Sequence, residues 1–234
     1  MRPERGVGRL RGAWLASAAV IAAFAADDAF AAGGPRVIDD AAVETPGVCH
    51  VETWLTASTG ANRLYQFAPA CTPRALPMLE LGGSITQTWA PGIDDTVLGA
   101  AAKVNLVDET QRGWGVAVSG GVGLSIDSGE LDNANINVPL TVPVGPVRFN
   151  INASWLWSRA EGHSAFVGVQ ADWTVRPDLD VMVEAFTRDT GRAGGQIGAR
   201  WTPGGGNVDF DVIAGRYIDG ATPTSLTAGV IVRF

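Results

Sequence analysis

Charged side chains recur at alternating positions within otherwise apolar stretches of the sequence. In the stretch 147–157 the apolar residues stand at odd positions, and Arg148 shares the even positions with Asn and Ser. A period of two is typical of a β-strand with one apolar and one polar face. Charges on such a polar face can pair with each other or line an aqueous pore. The candidate lumen-lining residues are Glu52, Glu80, Lys103, Arg148, Asp172, Glu184, Arg188, Arg200, Asp209, Asp211 and Arg233.

The phase of the stretches 179–189 and 208–218 stays open, because neither alternates cleanly. Arg148 and Arg200 have small neighbours on their own faces, which predicts room for water around both guanidinium groups. If that room exists, these charges should set ion selectivity in a channel. If they are instead locked in pairs, the lumen is filled and the barrel is structural.

Catalytic chemistry is the weaker interpretation of the polar residues. A lipase or deacylase needs a Ser and a His held together with an acid. The two histidines are His50, early in the first strand, and His163, beside Ser164 in a predicted loop. Neither has a nucleophile at a distinguishing spacing, and the glycines at 191–195 and 204–206 look like hairpin turns rather than a phosphate loop. We expect no enzyme activity, no metal and no cofactor.

The two cysteines flank a predicted hairpin. Folding the chain about Gly60 pairs residues whose numbers sum to about 120, which brings Cys49 opposite Cys71. In an exported protein such a pair predicts a disulfide. Two free thiols, or a metal site that includes His50, are the alternatives.

Composition limits the possible partners. The chain has 234 residues and a formal net charge of −7, and removing residues 1–31 makes the remainder slightly more acidic. Such a balance argues against nucleic acid, whose phosphates require a basic surface. The length suits one large all-β domain.

The first 31 residues have the pattern of a cleaved secretory signal peptide. Four arginines precede an apolar run from Ala13 to Ala26, and a small-x-small site ends at Ala31. Cleavage after Ala25 and a membrane anchor are the alternatives. Residues 32–47 have no periodicity and predict a periplasmic lead-in, which lies either outside the barrel or in its mouth. Residues 48–234 form the predicted barrel.

The chain ends on an alternating strand. Leu226, Ala228, Val230, Val232 and Phe234 are apolar and alternate with mostly small or polar residues, Ile231 being the exception. An apolar alternating strand that ends on Phe resembles the closing strand of Gram-negative outer-membrane β-barrels. The resemblance implies that the barrel-assembly machinery reads Phe234, and that outer-membrane lipid surrounds the strands.

Counting the alternating stretches gives twelve strands, an even number with spans near those that tilted membrane strands require. The fold class is therefore an all-β, antiparallel, up-and-down transmembrane barrel, with a secreted β-sandwich as the alternative. Tryptophans near strand ends indicate interfacial girdles. They are Trp54, Trp89, Trp114, Trp155, Trp157, Trp173 and Trp201.

The opening of the predicted barrel carries a second resemblance. The run Cys49-His-Val-Glu-Thr-Trp54, followed by Pro69-Ala-Cys71 and Leu79-Glu-Leu-Gly-Gly83, is similar to the start of uncharacterised proteobacterial outer-membrane proteins. The preceding Asp39-Asp40-Ala41 resembles barrels of the MetA-pathway family of phenol degradation. The resemblance implies a barrel and agrees with the disulfide, but it implies no catalytic residues.

Together these features predict a narrow passive channel or transporter for an unidentified small-molecule cargo. A plugged structural or surface-interaction barrel is the alternative, and a lipid-modifying enzyme a third class. Twelve strands permit either an open or a filled lumen.

Overall fold

The computed structural model describes residues 35–191, 193–217 and 224–234. The predicted signal peptide, residues 1–31, lies outside the described residues. The described chain forms one antiparallel sheet of twelve strands that closes into a barrel, as predicted. The strands are β1 (Cys49–Ser58), β2 (Asn62–Cys71), β3 (Leu79–Ala90), β4 (Ile93–Val107), β5 (Gly115–Ser125), β6 (Leu131–Val144), β7 (Val147–Ser158), β8 (Gly162–Arg176), β9 (Leu179–Arg188), β10 (Ala193–Trp201), β11 (Val208–Tyr217) and β12 (Ser225–Arg233). Within these residues no helix is long and apolar enough to cross a membrane.

The first and last strands close the barrel. In β1 and β12, His50 lies opposite Arg233 and Ser58 opposite Ser225. Beyond this ladder, the Phe234 N–H donates to the Cys49 carbonyl at 2.9 Å, and the Cys49 N–H donates to the Phe234 carbonyl at 2.9 Å. Each other strand pairs with its neighbours in sequence. We call the end of the barrel that holds Cys49 and Phe234 the base.

The barrel has an apolar exterior and a polar interior. Outward positions hold exposed large apolar side chains, for example Leu98, Val122 and Ile151. Inward positions hold buried polar side chains, for example Gln66 and Asn152. This order is the reverse of a soluble domain and suits a surface that lipid covers.

Some connections between strands are very short. The connection between β3 and β4 is only a two-residue turn, Pro91-Gly92, because Ala90 pairs with Ile93. Gly92 has φ +81°, a conformation that glycine adopts without strain. Polar side chains near this turn also form hydrogen bonds between the two strands, for example from Gln87 to Asp94. These polar residues lie beyond the apolar, lipid-facing part of β3 and β4, but backbone pairing between the two strands continues as far as Ala90 and Ile93.

A short helix not anticipated from the sequence, α1 (Glu109–Arg112), connects β4 to β5 at the base. Asp108 caps it by accepting from the Thr110 N–H at 2.8 Å, and Gly113 ends it with φ 77°. Both residues are typical of these positions. The helix matters because it places Glu109 beside the barrel mouth.

Several apolar side chains lie inside the barrel, and two of them depart from what the sequence predicted. Trp54, which we expected in an interfacial girdle, is an inward residue of β1 with 3% of its surface exposed. Ile231, the exception to the alternation in β12, is also inward and buried. The girdle prediction was therefore wrong for Trp54. Successive residues of a strand face opposite sides of the sheet, and Trp54 shares the inward side with His50 and Glu52. Trp89, Trp173 and Trp201 do face outward.

The predicted hairpin of β1 and β2 has the predicted register, with Cys49 opposite Cys71 and Leu55 opposite Tyr65. The two cysteines form a disulfide, and the described residues contain no free cysteine. The bond joins β1 and β2 at the base, close to the Cys49–Phe234 hydrogen bonds.

A closed barrel should resist unfolding in detergent. We expect the mature protein to fractionate with outer membranes and to migrate faster on a gel when unheated than after boiling. The reason is that every strand edge is paired, so detergent has no edge at which to begin separating the strands. Recovery as a soluble periplasmic protein, with a single migration regardless of heating, would contradict membrane insertion.

Removing the disulfide should destabilise the barrel without changing its fold. The bond joins residues 22 apart in sequence. The chain-entropy model gives roughly 3 kcal/mol for a loop of about this size. A Cys49→Ala/Cys71→Ala variant should lose up to this amount in urea unfolding, and wild-type protein treated with reductant should behave like the variant. Equal stability of oxidised and reduced wild type would show that the bond does not stabilise the fold.

Candidate functional site

The eleven candidate lumen residues all lie at inward positions of their strands, including those of the two stretches whose phase was open. In β9, the inward set is Met182, Glu184, Phe186 and Arg188, all buried. In β11, Asp209 and Asp211 are inward and each has 2% of its surface exposed. Of the eleven, Arg148 is the most exposed, with 37% of its side chain accessible. These side chains converge on a segment that enters the barrel.

That segment is the lead-in. We predicted residues 32–47 either outside the barrel or in its mouth, and the described part enters the lumen. We call residues 35–44 the plug segment. Arg36, Ile38, Asp39 and Ala41 are all buried. The barrel is therefore a wall around the protein's own N-terminal residues, and no periodicity in the sequence had indicated this.

Wall side chains satisfy the plug backbone. The Asp39 N–H donates to Asn152 Oδ1 at 2.9 Å, and Asn152 Nδ2 donates to the Asp39 carbonyl at 2.7 Å. The Ala41 N–H donates to Thr141 Oγ1 at 2.8 Å, and Asn105 Nδ2 donates to the Ala41 carbonyl at 2.6 Å. An extended segment has no backbone partners of its own, so buried N–H and C=O groups need such side chains. This explains why the inward positions carry Asn and Thr.

Behind these contacts lies a chain of amide and carboxyl groups that crosses β6 to β10. Thr141 Oγ1 donates to Asn150, and Asn150 Nδ2 donates to Gln170 Oε1 at 2.6 Å. Gln170 and Gln196 each donate to Glu184, at 2.7 and 2.6 Å. Glu184 also accepts the backbone N–H groups of Val37 and Ile38, at 3.2 and 3.3 Å. The network joins five strands to the plug segment.

One apolar anchor completes the plug. Ile38 packs against Phe166 and Phe186, which face inward from β8 and β9. Gly168 lies beneath Ile38, and a Cβ at that position would lie 2.1 Å from Ile38 Cδ1. No larger residue than glycine fits there while Ile38 is seated.

Ion pairs tie the charges of the wall to those of the plug. Lys103 Nζ lies 2.9 Å from Asp39 Oδ1 and 3.5 Å from Asp40 Oδ1. Arg36 pairs with Asp172. Arg233 contacts Glu44 at 3.0 Å. All three plug carboxylates thus have a cationic partner on the wall.

The room that we predicted around Arg200 is not present, whereas Arg148 keeps 37% of its side chain accessible. Arg200 makes two parallel bonds to Asp211, at 2.9 and 2.7 Å. Beside it, the space above Gly198 is filled by Ile213 and Met182. This prediction was wrong because it considered each strand alone, whereas large side chains on neighbouring strands occupy the gaps.

Arg148 is likewise bound. Its guanidinium lies 2.8 Å from Glu109 and 3.8 Å from Asp40. Glu109 comes from α1, which strand periodicity did not predict. Arg148 therefore links the short helix at the base to the plug segment.

The two neighbouring plug carboxyl groups are shifted in opposite directions. Burial raises the pKa of Asp39, although Lys103, 2.9 Å away, opposes the shift. Oδ2 of Asp39 has no hydrogen-bond partner. Burial of Asp40 is outweighed by the charges of Lys103 and Arg148, which lower the pKa of Asp40. Asp39 is thus held in the lumen at an electrostatic cost that Lys103 only partly offsets.

The opposite side of the lumen is less filled. A cavity of about 60 Å³ lies against the wall of β1 to β6. Its lining includes His50, Glu52, Trp54, Glu80 and Lys103. The remaining wall is largely Gly, Ala and Ser. The small side chains on this wall leave open space, whereas Phe166 and Phe186 fill the space around Ile38.

The two histidines lie on opposite faces of the sheet. His163 lies on the outer side of β8 and stacks on Trp155, with ring centroids 5.4 Å apart. His50 lies 3.8 Å from Glu44 and 3.7 Å from Glu52. Among the described residues, no group of three or more His, Cys, Asp or Glu is arranged to hold a metal ion.

Solved structures with this fold are outer-membrane barrels. The KdgM porin matches with a TM-score of 0.65 and 8% identity, covering 79% of this chain and 99% of KdgM. The COG4313 outer-membrane channel from Pseudomonas putida F1 matches with a TM-score of 0.60 and 9% identity, over 82% of this chain and 97% of the channel. The NanC porin matches with a TM-score of 0.58 and 8% identity, over 78% of this chain and 98% of NanC. At these identities the likeness shows the fold alone.

Among curated proteins no match was found. The resemblance of residues 39–41 to MetA-pathway barrels stays a prediction. A family model described as "Uncharacterised conserved protein UCP029691" matches residues 20–234. Because that match covers nearly the whole chain, the protein belongs to this family.

Proposed function

We propose that the protein is a passive outer-membrane channel for small solutes, whose lumen is constricted by its own N-terminal plug segment. The observation that carries the proposal is the uneven filling of the lumen. The plug segment packs on the side of β6 to β10, and the cavity lies on the side of β1 to β6. Solved barrels of similar fold that are named porins or channels support the proposal.

The way in which the plug is held favours a segment that can leave its site. Ile38 is its one fully buried large apolar side chain, and most other contacts are ion pairs and hydrogen bonds to the wall. Water can replace polar contacts of this kind, so their net contribution is small, about 1 kcal/mol for each hydrogen bond. A plug held by a large apolar interface would be harder to release.

A permanently plugged structural barrel is the second candidate. The pairing of Arg200 with Asp211 favours it, since two parallel bonds hold both groups in place. The fit of Ile38 over Gly168 favours it as well. The two candidates differ in whether the lumen conducts.

Assembly in the outer membrane is part of the proposal. Phe234 is an exposed residue at the end of the closing strand, with 72% of its surface accessible. We propose that the barrel-assembly machinery reads this terminus, and that residues 1–31 direct export and are removed. Trp89, Trp173 and Trp201 would then lie at the lipid–water interfaces.

Conductance with and without the plug segment tests the channel. In planar bilayers we expect small discrete steps from wild type and larger steps after deletion of residues 36–41, because the deletion opens the side of the lumen that the plug fills. The control is Glu130→Ser/Arg159→Ser, which removes an ion pair on the exposed side of the barrel and should leave the steps unchanged. Silence of both wild type and deletion would support the structural barrel. Equal steps from both would show that the plug does not constrict the lumen.

A second experiment tests what holds the plug. Lys103→Met leaves Asp39 buried without its cation, and loss of one partner of a buried pair costs about 3 kcal/mol or more. We expect faster amide exchange at Asp39 and Ala41 together with a lower unfolding temperature in detergent. Adding Asp39→Asn should recover most of the loss, because the uncompensated charge is then absent. If the double variant is no more stable than Lys103→Met, the pair does not secure the plug.

A further inference from the structure

The cavity beside the plug segment has the size of a very small solute. Its volume of about 60 Å³ would hold about four or five water molecules, given the 10–15 Å³ that each requires on this measure. Glu44 of the plug segment approaches it through contacts with the lining residues Glu80 and His50. Wall residues line the cavity, and the plug segment reaches its edge through Glu44.

A buried carboxylate borders this cavity. Glu80 lines the cavity and has 5% of its surface exposed. Its carboxylate accepts the Glu44 N–H at 2.9 Å, but no cationic side chain of the described residues lies within ion-pair distance of it. The neighbouring Lys103 is already bound to Asp39 and Asp40. Lys103 is the cross-strand partner of Glu80, but its ammonium is shared with two other carboxylates, and a buried carboxylate that is only partly neutralised favours a positively charged occupant.

His50 adds a second unsatisfied group on the same wall. It has 8% of its surface exposed, and its Nδ1 has no hydrogen-bond partner. Its ring lies between Glu44 and Glu52, at 3.8 and 3.7 Å. Arg233, the other cation near Glu44, is shared with Asp209. Glu44 and Glu80 therefore depend on Lys103 and Arg233, which also serve Asp39, Asp40 and Asp209.

Trp54 indicates which kind of cation fits. Its side chain lines the cavity and is almost fully buried, with 3% of its surface exposed. An aromatic ring attracts ammonium groups, most strongly where water is excluded. The rest of the lining is largely apolar and small, including Ala68, Ala70 and Ala101. Such a lining suits methyl or methylene groups better than the full water shell of a metal ion.

We propose that this cavity binds a small monovalent organic ammonium ion, and that the lumen consequently favours cations. The proposed binding depends only on the cavity. The selectivity rests on the proposed channel function, since selectivity has meaning only in a conducting lumen.

Binding is tested on purified full-length mature protein in detergent, with tetramethylammonium chloride as the probe. Tert-butyl alcohol is the neutral control of similar shape, and sodium chloride controls for ionic strength. Saturation-transfer NMR should detect tetramethylammonium with a millimolar dissociation constant, as expected for so few non-hydrogen atoms. The alcohol should bind far more weakly, because it does not neutralise Glu80.

Glu80→Gln is the informative variant, because the amide oxygen can still accept the Glu44 N–H while the charge is lost. We expect roughly tenfold weaker binding of the probe, equivalent to about 1.4 kcal/mol. Glu130→Gln, at an exposed carboxylate, should bind like wild type. Trp54→Leu should also weaken binding, and it tests the same cavity if Glu80→Gln fails to fold.

Bilayer recordings separate this inference from the channel proposal. In a salt gradient the wild type should prefer cations, and Glu80→Gln should reduce that preference. Binding without conductance would refute the channel and leave the site standing. No binding by wild type, equal binding of the alcohol, or a conducting lumen that prefers anions would overturn the site.

Discussion

The absence of water in the bilayer core is the constraint on which this structure depends. A free strand edge in lipid would leave a row of N–H and C=O groups without partners, so the sheet has to close. The closure joins β1 to β12, and Cys49 and Phe234 extend it by two further hydrogen bonds. Closure creates an interior that must be filled with side chains, water or another segment of the chain.

The interior is filled asymmetrically, and the sequence of each strand decides how. On the side of β6 to β10, Phe166, Phe186 and a network of Asn and Gln side chains surround residues 37–41. Across the lumen, residues such as Ala101, Gly82 and Ser119 leave a cavity. The polar groups of the first side bind a backbone, whereas the carboxylates of the second border open space. One barrel therefore combines a binding groove for its own chain with a compartment for something else.

The sequence predicted the barrel well because a period of two is a local signal. Twelve strands and the pairing of Cys49 with Cys71 followed from alternation and turn residues, and the closing role of the last strand followed from its resemblance to other outer-membrane barrels. The site was less accessible, since its contacts join residues far apart in sequence. Lys103 meets Asp39 across 64 positions, and Arg36 meets Asp172 across 136. Residues 35–44 have no regular secondary structure, so no periodic pattern in the sequence predicted that they lie inside the barrel. One available signal was the repeated Asn and Thr at inward positions, which suit a bound backbone better than an open pore.

The attachment of the plug segment to β1 has a consequence for how it would move. Residues 45–48 connect it to the disulfide-bonded hairpin, and the Gly47 N–H is fixed to the Thr72 carbonyl at 2.7 Å. A short tether of this kind keeps a detached segment near its site at an effective concentration of the order of millimolar. Rebinding is then intramolecular and independent of how much protein the membrane contains. Under these conditions even modest polar contacts keep the plug segment bound most of the time. A plug segment that detaches cannot be lost from its barrel by diffusion.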